Sequence, residues 1–252
     1  MVTTALEPGL GKTEVLQFHE EGYLGPYALC TPGEMSGIRA RIEREVLTRD
    51  GPNPKSRDHN RHLDCRLVFE LAAHPEIIAR AASLYGPDLV CWSSNFFTKE
   101  PGGKEIPWHQ DFNYWPIDPP LNLSAWLAID PVTQENSCCR IIPGSHKKIV
   151  PHIPAPDGMA FGEMADPRAV DESKAIPMEL RPGEFFLFNE RLLHQSHQNR
   201  SRLRRMGLSV RLTLPYVKIT HDRPPLFPGH RCVLVHGEDR FGINRVQAPP
   251  RE

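Results

Sequence analysis

A chain of 252 residues, 39% of them hydrophobic, is long enough to bury one large β domain. Its formal net charge of -1 excludes a strongly basic surface for nucleic acid or an anionic membrane, and its 26 prolines exclude a helical bundle. Six cysteines with no Cys-x-x-Cys pair and only Cys138-Cys139 adjacent read as free thiols of a reducing compartment. No apolar run reaches bilayer length, and the first thirty residues hold no apolar segment preceded by basic residues. The expectation is a single cytoplasmic domain over residues 1–252, with neither membrane nor nucleic acid as partner.

In chain order, Gly9-Leu10-Gly11-Lys12-Thr13 imitates the end of a phosphate-binding loop. Leu6 stands where that loop needs its first glycine, so the reading fails. Residues 13–21 alternate apolar and acidic side chains and predict a short helix ended by Gly22. Thr31-Pro32-Gly33-Glu34 is a capping-box start for a second helix, running to about Thr48. Residues 49–66 are polar, with Gly51-Pro52 and Asn53-Pro54, and read as a loop. Residues 67–73 and 75–85 show helical spacing and stop at Gly86-Pro87.

From Leu89 the period changes to two. Strands are predicted at 89–99, 107–112, 123–130, 139–142, 176–180, 184–189, 192–196 and 206–217. Arg181-Pro182-Gly183 reads as the turn between two of them. Residues 147–174 are too long for a plain connection and are either a lid or a solvated insertion. The tail from Thr220 is Pro-rich and reads as irregular. Helices first and many short strands later imply a mainly β sandwich or barrel with helices outside.

Within this pattern, Trp108-His109-Gln110-Asp111-Phe112 offers a histidine and a carboxylate two residues apart. On an extended segment such residues share a face, so both are candidate ligands for one ion. His-x-Asp/Glu also occurs at His19, His62, His74 and His236, but His19 and His74 fall in helical stretches, His62 in a loop and His236 in the irregular tail. Only His109 has an apolar, aromatic strand around it. His194, in Leu192-Leu193-His194-Gln195-Ser196, is the C-terminal histidine in matching context. Two histidines and one carboxylate leave three positions open, the arrangement of non-haem Fe(II) oxygenases.

His109-Gln110-Asp111, Trp126, Glu135-Asn136, Pro143-Gly144-Ser145-His146 and His194-x-Ser196-x-x-Asn199 occur in the order seen in the phytanoyl-CoA dioxygenase family. The chain resembles that family from about Val15 to Tyr216. Ser137 departs from it, standing where the family has glycine, and Asn136 is expected to take up the left-handed turn instead. The resemblance implies a double-stranded β-helix, or cupin-like jelly roll, with Fe(II) held by His109, Asp111 and His194. It implies 2-oxoglutarate as co-substrate with O2, its far carboxylate on Arg205 and its neighbours Ser196, Trp126 and Asn95. It also implies hydroxylation as the default outcome, since Asp111 leaves no vacant position for a halide, with desaturation, cyclisation or epoxidation open to the same centre. Arg204 should point away from Arg205, and Arg211 is the runner-up anchor.

Two other classes use some of these residues. A zinc hydrolase could use the same ligands but has no role for an arginine and serine placed for 2-oxoglutarate. An Arg-rich binding module at Arg200, Arg202, Arg204 and Arg205 lacks interleaved aromatics, and a solvated turn explains it better. Gln110, Tyr114, Trp115, Arg140 and Arg211, with the 57–61 loop, are candidate walls of a pocket for a small, partly polar molecule. Natural-product tailoring is the setting that similar bacterial enzymes suggest.

Overall fold

The computed structural model describes residues 9–251. The N-terminal third supplies helices α1 (Lys12–Glu21), α2 (Pro32–Arg41), α3 (Arg66–Ala72) and α4 (Pro75–Tyr85), with strand β1 (Tyr23–Ala28) after α1. α1 stops because Gly22 turns left-handed at φ 79°, returning its N–H to the Phe18 carbonyl at 2.8 Å. α2 starts on the expected capping box: the Thr31 hydroxyl accepts from the Glu34 amide at 3.3 Å, and the Glu34 carboxylate accepts from the Thr31 amide at 2.8 Å. Beyond Arg41 the coil widens into a π-turn over Ile42–Val46, close to the expected end.

The strands that follow are β2 (Leu89–Lys99), β3 (Ile106–His109), β4 (Ile117–Asp118), β5 (Leu123–Ala128), β6 (Cys139–Ile141), β7 (His152–Pro154), β8 (Glu163–Ala165), β9 (Ile176–Met178), β10 (Glu184–Asn189), β11 (His194–Ser196), β12 (Arg205–Thr213), β13 (Lys218–Ile219), β14 (Cys232–His236) and β15 (Val246–Gln247). With β1 they form a large sheet, β1-β10-β5-β12-β2-β14-β15, a small one, β3-β11-β6-β9, and two two-stranded pairs, β13-β4 and β7-β8. The two layers make the double-stranded β-helix.

Period-two alternation assigns each central strand one face for the helices and one for the space between the sheets. Leu208, Val210 and Leu212 of β12, Ala125 and Leu127 of β5, and Phe185 and Leu187 of β10 join Ile77, Ile78 and Met35 in the main core. Trp126, Phe186 and Phe188 face the other way, with Ile141 and Met178 of the small sheet. Both faces are covered, so every residue of β12 is buried. Its polar residues are Arg205, Ser209, Arg211 and Thr213, and the first three line the inter-sheet cavity.

Several expectations change. Residues 107–112 are not one strand: β3 ends at His109, and Asp111–Tyr114 is a 3₁₀ turn. Segments 176–180 and 184–189 are not partners, since β9 pairs with β6 and β10 with β1 and β5. Residues 147–174 fold their own hairpin, β7 against β8. The tail is not irregular throughout, because β14 extends the large sheet by pairing with β2. His236 therefore does lie on a strand, with Nδ1 2.6 Å from the Pro87 carbonyl. His62 lies in a buried 3₁₀ turn, bonded to the Ser94 hydroxyl at 2.7 Å. The 206–217 strand ends at Thr213.

Candidate metal and co-substrate site

β3 and β11 run antiparallel with His109 opposite His194, so cross-strand pairing sets the two imidazoles 4.1 Å apart, centre to centre. Each ring is oriented by its own backbone: Nδ1 of His109 bonds the Pro107 carbonyl at 2.8 Å, and Nδ1 of His194 bonds the Leu192 carbonyl at 2.9 Å. A carbonyl only accepts, so both Nδ1 atoms carry the hydrogen and both Nε2 atoms present lone pairs inward. Gln110 is still extended, and the 3₁₀ turn that starts at Asp111 swings its carboxylate to the same side. The Phe112 amide fixes that turn by donating to the Glu190 carbonyl at 3.1 Å.

Asp111 Oδ1 lies 3.5 Å from His109 Nε2 and 3.9 Å from His194 Nε2. The ligand atoms all lie within 4.8 Å of one another, and all three side chains are buried. Burial alone would raise the Asp111 pKa, but the neighbouring imidazoles of His194 and His109 and the Arg211 charge outweigh it and hold the carboxylate at about 2. Burial, aided by His109, pulls His194 down to about 4. An ionised carboxylate beside a neutral imidazole is the protonation state a divalent cation needs.

The ligands open onto a cavity with about 480 Å³ of space between its atoms. Arg205, 2% exposed, lies along its wall with its guanidinium 5.3 Å from the Trp126 ring. Its Nε and Nη2 are buried and bond nothing. Burial lowers its pKa to about 10, so it stays charged at neutral pH. A buried cation with two idle donors fits a carboxylate, as the far end of 2-oxoglutarate would supply. Arg204 points the opposite way, as expected, to Asp130 at 2.8 Å and Glu43 at 2.5 Å. Gly207 lies under the Trp126 indole, where a Cβ would come within 2.2 Å of the ring.

Ser196 lines the same cavity, and its partner is a residue that sequence reasoning missed. Lys99, 6% exposed, donates to the Ser196 hydroxyl and carbonyl and the Ser137 hydroxyl at 2.9 Å each, and to the His197 carbonyl at 2.6 Å. Burial, with Arg205 nearby, lowers its pKa to about 7. A lysine two residues past Phe97, and so on the same face of β2, was the available signal. Ser137 itself, not Asn136, adopts the left-handed conformation, at φ 80°. It thereby lends its hydroxyl to Lys99 and bonds the His197 carbonyl.

The other expected residues divide. Gln110 is fully buried and structural: its amide nitrogen donates to the carbonyls of Lys148 and Arg191, and its oxygen accepts from the Val150 amide. Trp115 packs edge-on against Trp92 at 5.4 Å, in the core. Arg140 stands outside the cavity, bonding His197 at 2.9 Å. Tyr114 stands over His109 at 5.9 Å between ring centres, with its hydroxyl donating to the Glu163 carbonyl. Asn95 faces a smaller chamber that shares Arg211 with the main cavity. Of the 57–61 loop, His59 and Asn60 line that smaller chamber, while Arg61 clamps the carbonyls of Val46, Arg49 and Arg57 and lines neither space. Three aromatics not anticipated, Phe97, Phe161 and Phe188, complete the wall.

The sequence model of the phytanoyl-CoA dioxygenase (PhyH) family matches residues 18–207. The dioxygenase lolE1 of Epichloe uncinata is 34% identical over 166 residues, which cover 66% of this chain and 61% of that protein. The human peroxisomal phytanoyl-CoA dioxygenase is 29% identical, over 56% of this chain and 44% of its own length. The chain thus spans less than two thirds of these curated relatives. Among solved structures, CytC3 with Fe(II) and alpha-ketoglutarate superposes with a TM-score of 0.74 at 27% identity, covering 95% of this chain and 94% of that one. The non-heme monooxygenase ThoJ, at 24% identity and a TM-score of 0.80, covers 94% and 88% and shows the same fold.

Proposed function

We propose that this chain, which belongs to the phytanoyl-CoA dioxygenase family, is an Fe(II)- and 2-oxoglutarate-dependent dioxygenase that hydroxylates a small-molecule metabolite in natural-product tailoring. The observation that carries the reading is Arg205: a charged guanidinium with two idle donors in the cavity that holds His109, Asp111 and His194. A zinc hydrolase built on the same three ligands has no use for it.

The residues have separable tasks. His109, Asp111 and His194 would hold the ion on one face and leave three positions toward the cavity. When bound, Fe(II) with 2-oxoglutarate and O2 supplies the oxidising power, and 2-oxoglutarate leaves as succinate and CO2. Arg205 takes the far carboxylate of the co-substrate through two parallel N–H donors, and burial strengthens that pairing. Ser196, whose oxygen already accepts from Lys99, keeps its own hydrogen for a further acceptor in the cavity. Phe161 lies edge-on to the His109 ring at 4.9 Å between centres, so the hairpin insertion carries an apolar cover to the ion's open side. We read residues 147–174 as that cover.

The test is succinate formation from 2-oxoglutarate by the purified protein with Fe(II) under air, followed by a mass screen of metabolites. Slow turnover alone, faster turnover with substrate and a gain of one oxygen are expected. Catalysis that persists with Zn(II) in the absence of O2 would replace this reading with the hydrolase.

A further inference from the structure

The cavity contains a second buried cation to which the co-substrate reading assigns no partner. Arg211 is six residues past Arg205 on the same face of β12 and is 7% exposed. Its guanidinium is held between Trp115, 5.0 Å from the ring centre, and Phe97, at 5.9 Å. Nη1 donates to the Ser93 hydroxyl at 3.3 Å and, with the Asn95 amide turned oxygen-inward, to that oxygen at 2.8 Å. Nε is buried without a partner, and Nη2 has none among the described residues. No carboxylate there forms an ion pair with Arg211. Among the described residues, the one carboxylate whose charge acts on it is Asp111.

A metal ion removes that compensation, because Asp111 would then serve the ion. The ion and two arginines bring four positive charges, while Asp111 and a doubly ionised co-substrate bring three negative. Lys99 and Glu190 leave the balance unchanged, since they carry opposite signs and burial drives each toward its neutral form. One positive charge is left over in a water-poor space, where an unpaired charge is strongly unfavourable. Arg205 packs on Trp126 opposite Lys99, whereas Arg211 packs between Trp115 and Phe97 six residues further along β12, so a carboxylate held on Arg205 does not serve Arg211.

We infer that Arg211 anchors the carboxylate of the substrate, which is therefore a small organic acid with an apolar body. The guanidinium, already fixed by two rings and two hydrogen-bond acceptors, is pre-organised for a planar anion. The body of the acid lies against Phe97, Phe161 and Phe188, which places its carbon atoms beside the metal ligands. This rests on Arg205 holding the co-substrate.

The experiment uses the anaerobic Mn(II) protein loaded with 2-oxoglutarate and titrated with hexanoate, benzoate and phenylacetate, their primary amides, and phenyl phosphate. At least one acid binds, its amide binds about tenfold or more weakly, and Arg211→Gln loses the acid by a similar factor, while 2-oxoglutarate affinity stays within about threefold. Arg211→Lys, which keeps the charge if the Gln variant fails to fold, retains the preference for acid over amide. Equal binding of acids and amides, no acid bound, tighter binding of phenyl phosphate, or a preference unchanged in Arg211→Gln overturns the inference. Loss of 2-oxoglutarate in Arg211→Gln but not in Arg205→Ala would instead overturn the assignment of Arg205.

Discussion

Lys99 and Arg205 sit directly opposite each other where β2 meets β12, yet their charges are treated in opposite ways. The Lys99 amino group lies within 2.9 Å of four oxygens, whereas Nε and Nη2 of Arg205 donate to none. Burial and the neighbouring guanidinium press Lys99 toward its neutral form while Arg205 stays charged, so the protein satisfies one and leaves the other open. The open one is where an anion belongs.

Arg205→Ala should weaken 2-oxoglutarate on the order of a hundredfold or more, since loss of one partner of a buried charge pair costs roughly 3–5 kcal/mol. Arg205→Lys should also be impaired, because an ammonium cannot reproduce the parallel donors. Arg204→Ala should bind 2-oxoglutarate normally, since it removes only the bridge to Asp130 and Glu43. Calorimetric titration into the anaerobic Mn(II) protein decides among them.

Lys99→Met should act through Ser196. It leaves the hydroxyl oxygens of Ser137 and Ser196 without their donor, a loss of about 1–3 kcal/mol of stability per orphaned group, while the His197 carbonyl keeps the Ser137 hydroxyl. It also frees the Ser196 hydroxyl to turn toward the His197 side. Measured as 2-oxoglutarate affinity, the effect of Lys99→Met should shrink in a Ser196→Ala background; full additivity would show that the two act separately.

Alanine at His109, Asp111 or His194 should abolish Fe(II)-dependent succinate formation and leave the melting temperature of the metal-free protein close to that of the parent. His197→Ala should be mild, because His197 is exposed and bonds Arg140 at the rim. Loss of activity in His197→Ala with retention in His194→Ala would reassign the distal ligand.

The tail is held by a pH-sensitive chain of hydrogen bonds. The Arg245 amide donates to Nε2 of His221 at 3.0 Å, so the His221 hydrogen is on Nδ1 and is given to Nδ1 of His230 at 2.9 Å. His230 in turn donates from Nε2 to the Trp92 carbonyl at 2.9 Å. Both rings must be neutral, and burial lowers both pKa values from the ordinary 6.5 to about 4. The unfolded chain therefore binds more protons, and this contribution is complete above pH 6.5 and lost as pH falls to about 4. Melting temperatures across that window should fall with acid, and the slope should flatten in His230→Leu. An unchanged slope would place the titration elsewhere.

Local chemistry made much of this legible in the sequence. The Thr31 box, the Gly22 stop and the long β2 are decided by neighbours in the chain, so their signals survive without tertiary context. His109 and His194 were legible because both sit in short apolar strands. The geometry of Asp111 was not: its turn is fixed by a bond to Glu190, a partner far along the chain. Lys99 was missed for the same reason, since its acceptors lie 38 to 98 residues away. β14 was hidden by the prolines around it, although Cys232 to His236 is itself an apolar run that completes the sheet beside β2.

Phe161 is the single contribution of residues 147–174 to the cavity wall, and the β7–β8 hairpin beside it pairs only with itself. The ligands and both arginines, by contrast, come from backbone locked into the two sheets or from the turn directly after β3. The hairpin is nonetheless tied to the segment that carries the ligands: the Gln110 amide donates to the His152 ring at 3.1 Å, and the Tyr114 hydroxyl donates to the Glu163 carbonyl at 3.0 Å. A change in the hairpin that reshapes what enters the cavity therefore also acts on the turn that presents Asp111, so selectivity and reaction are coupled through one stretch of backbone.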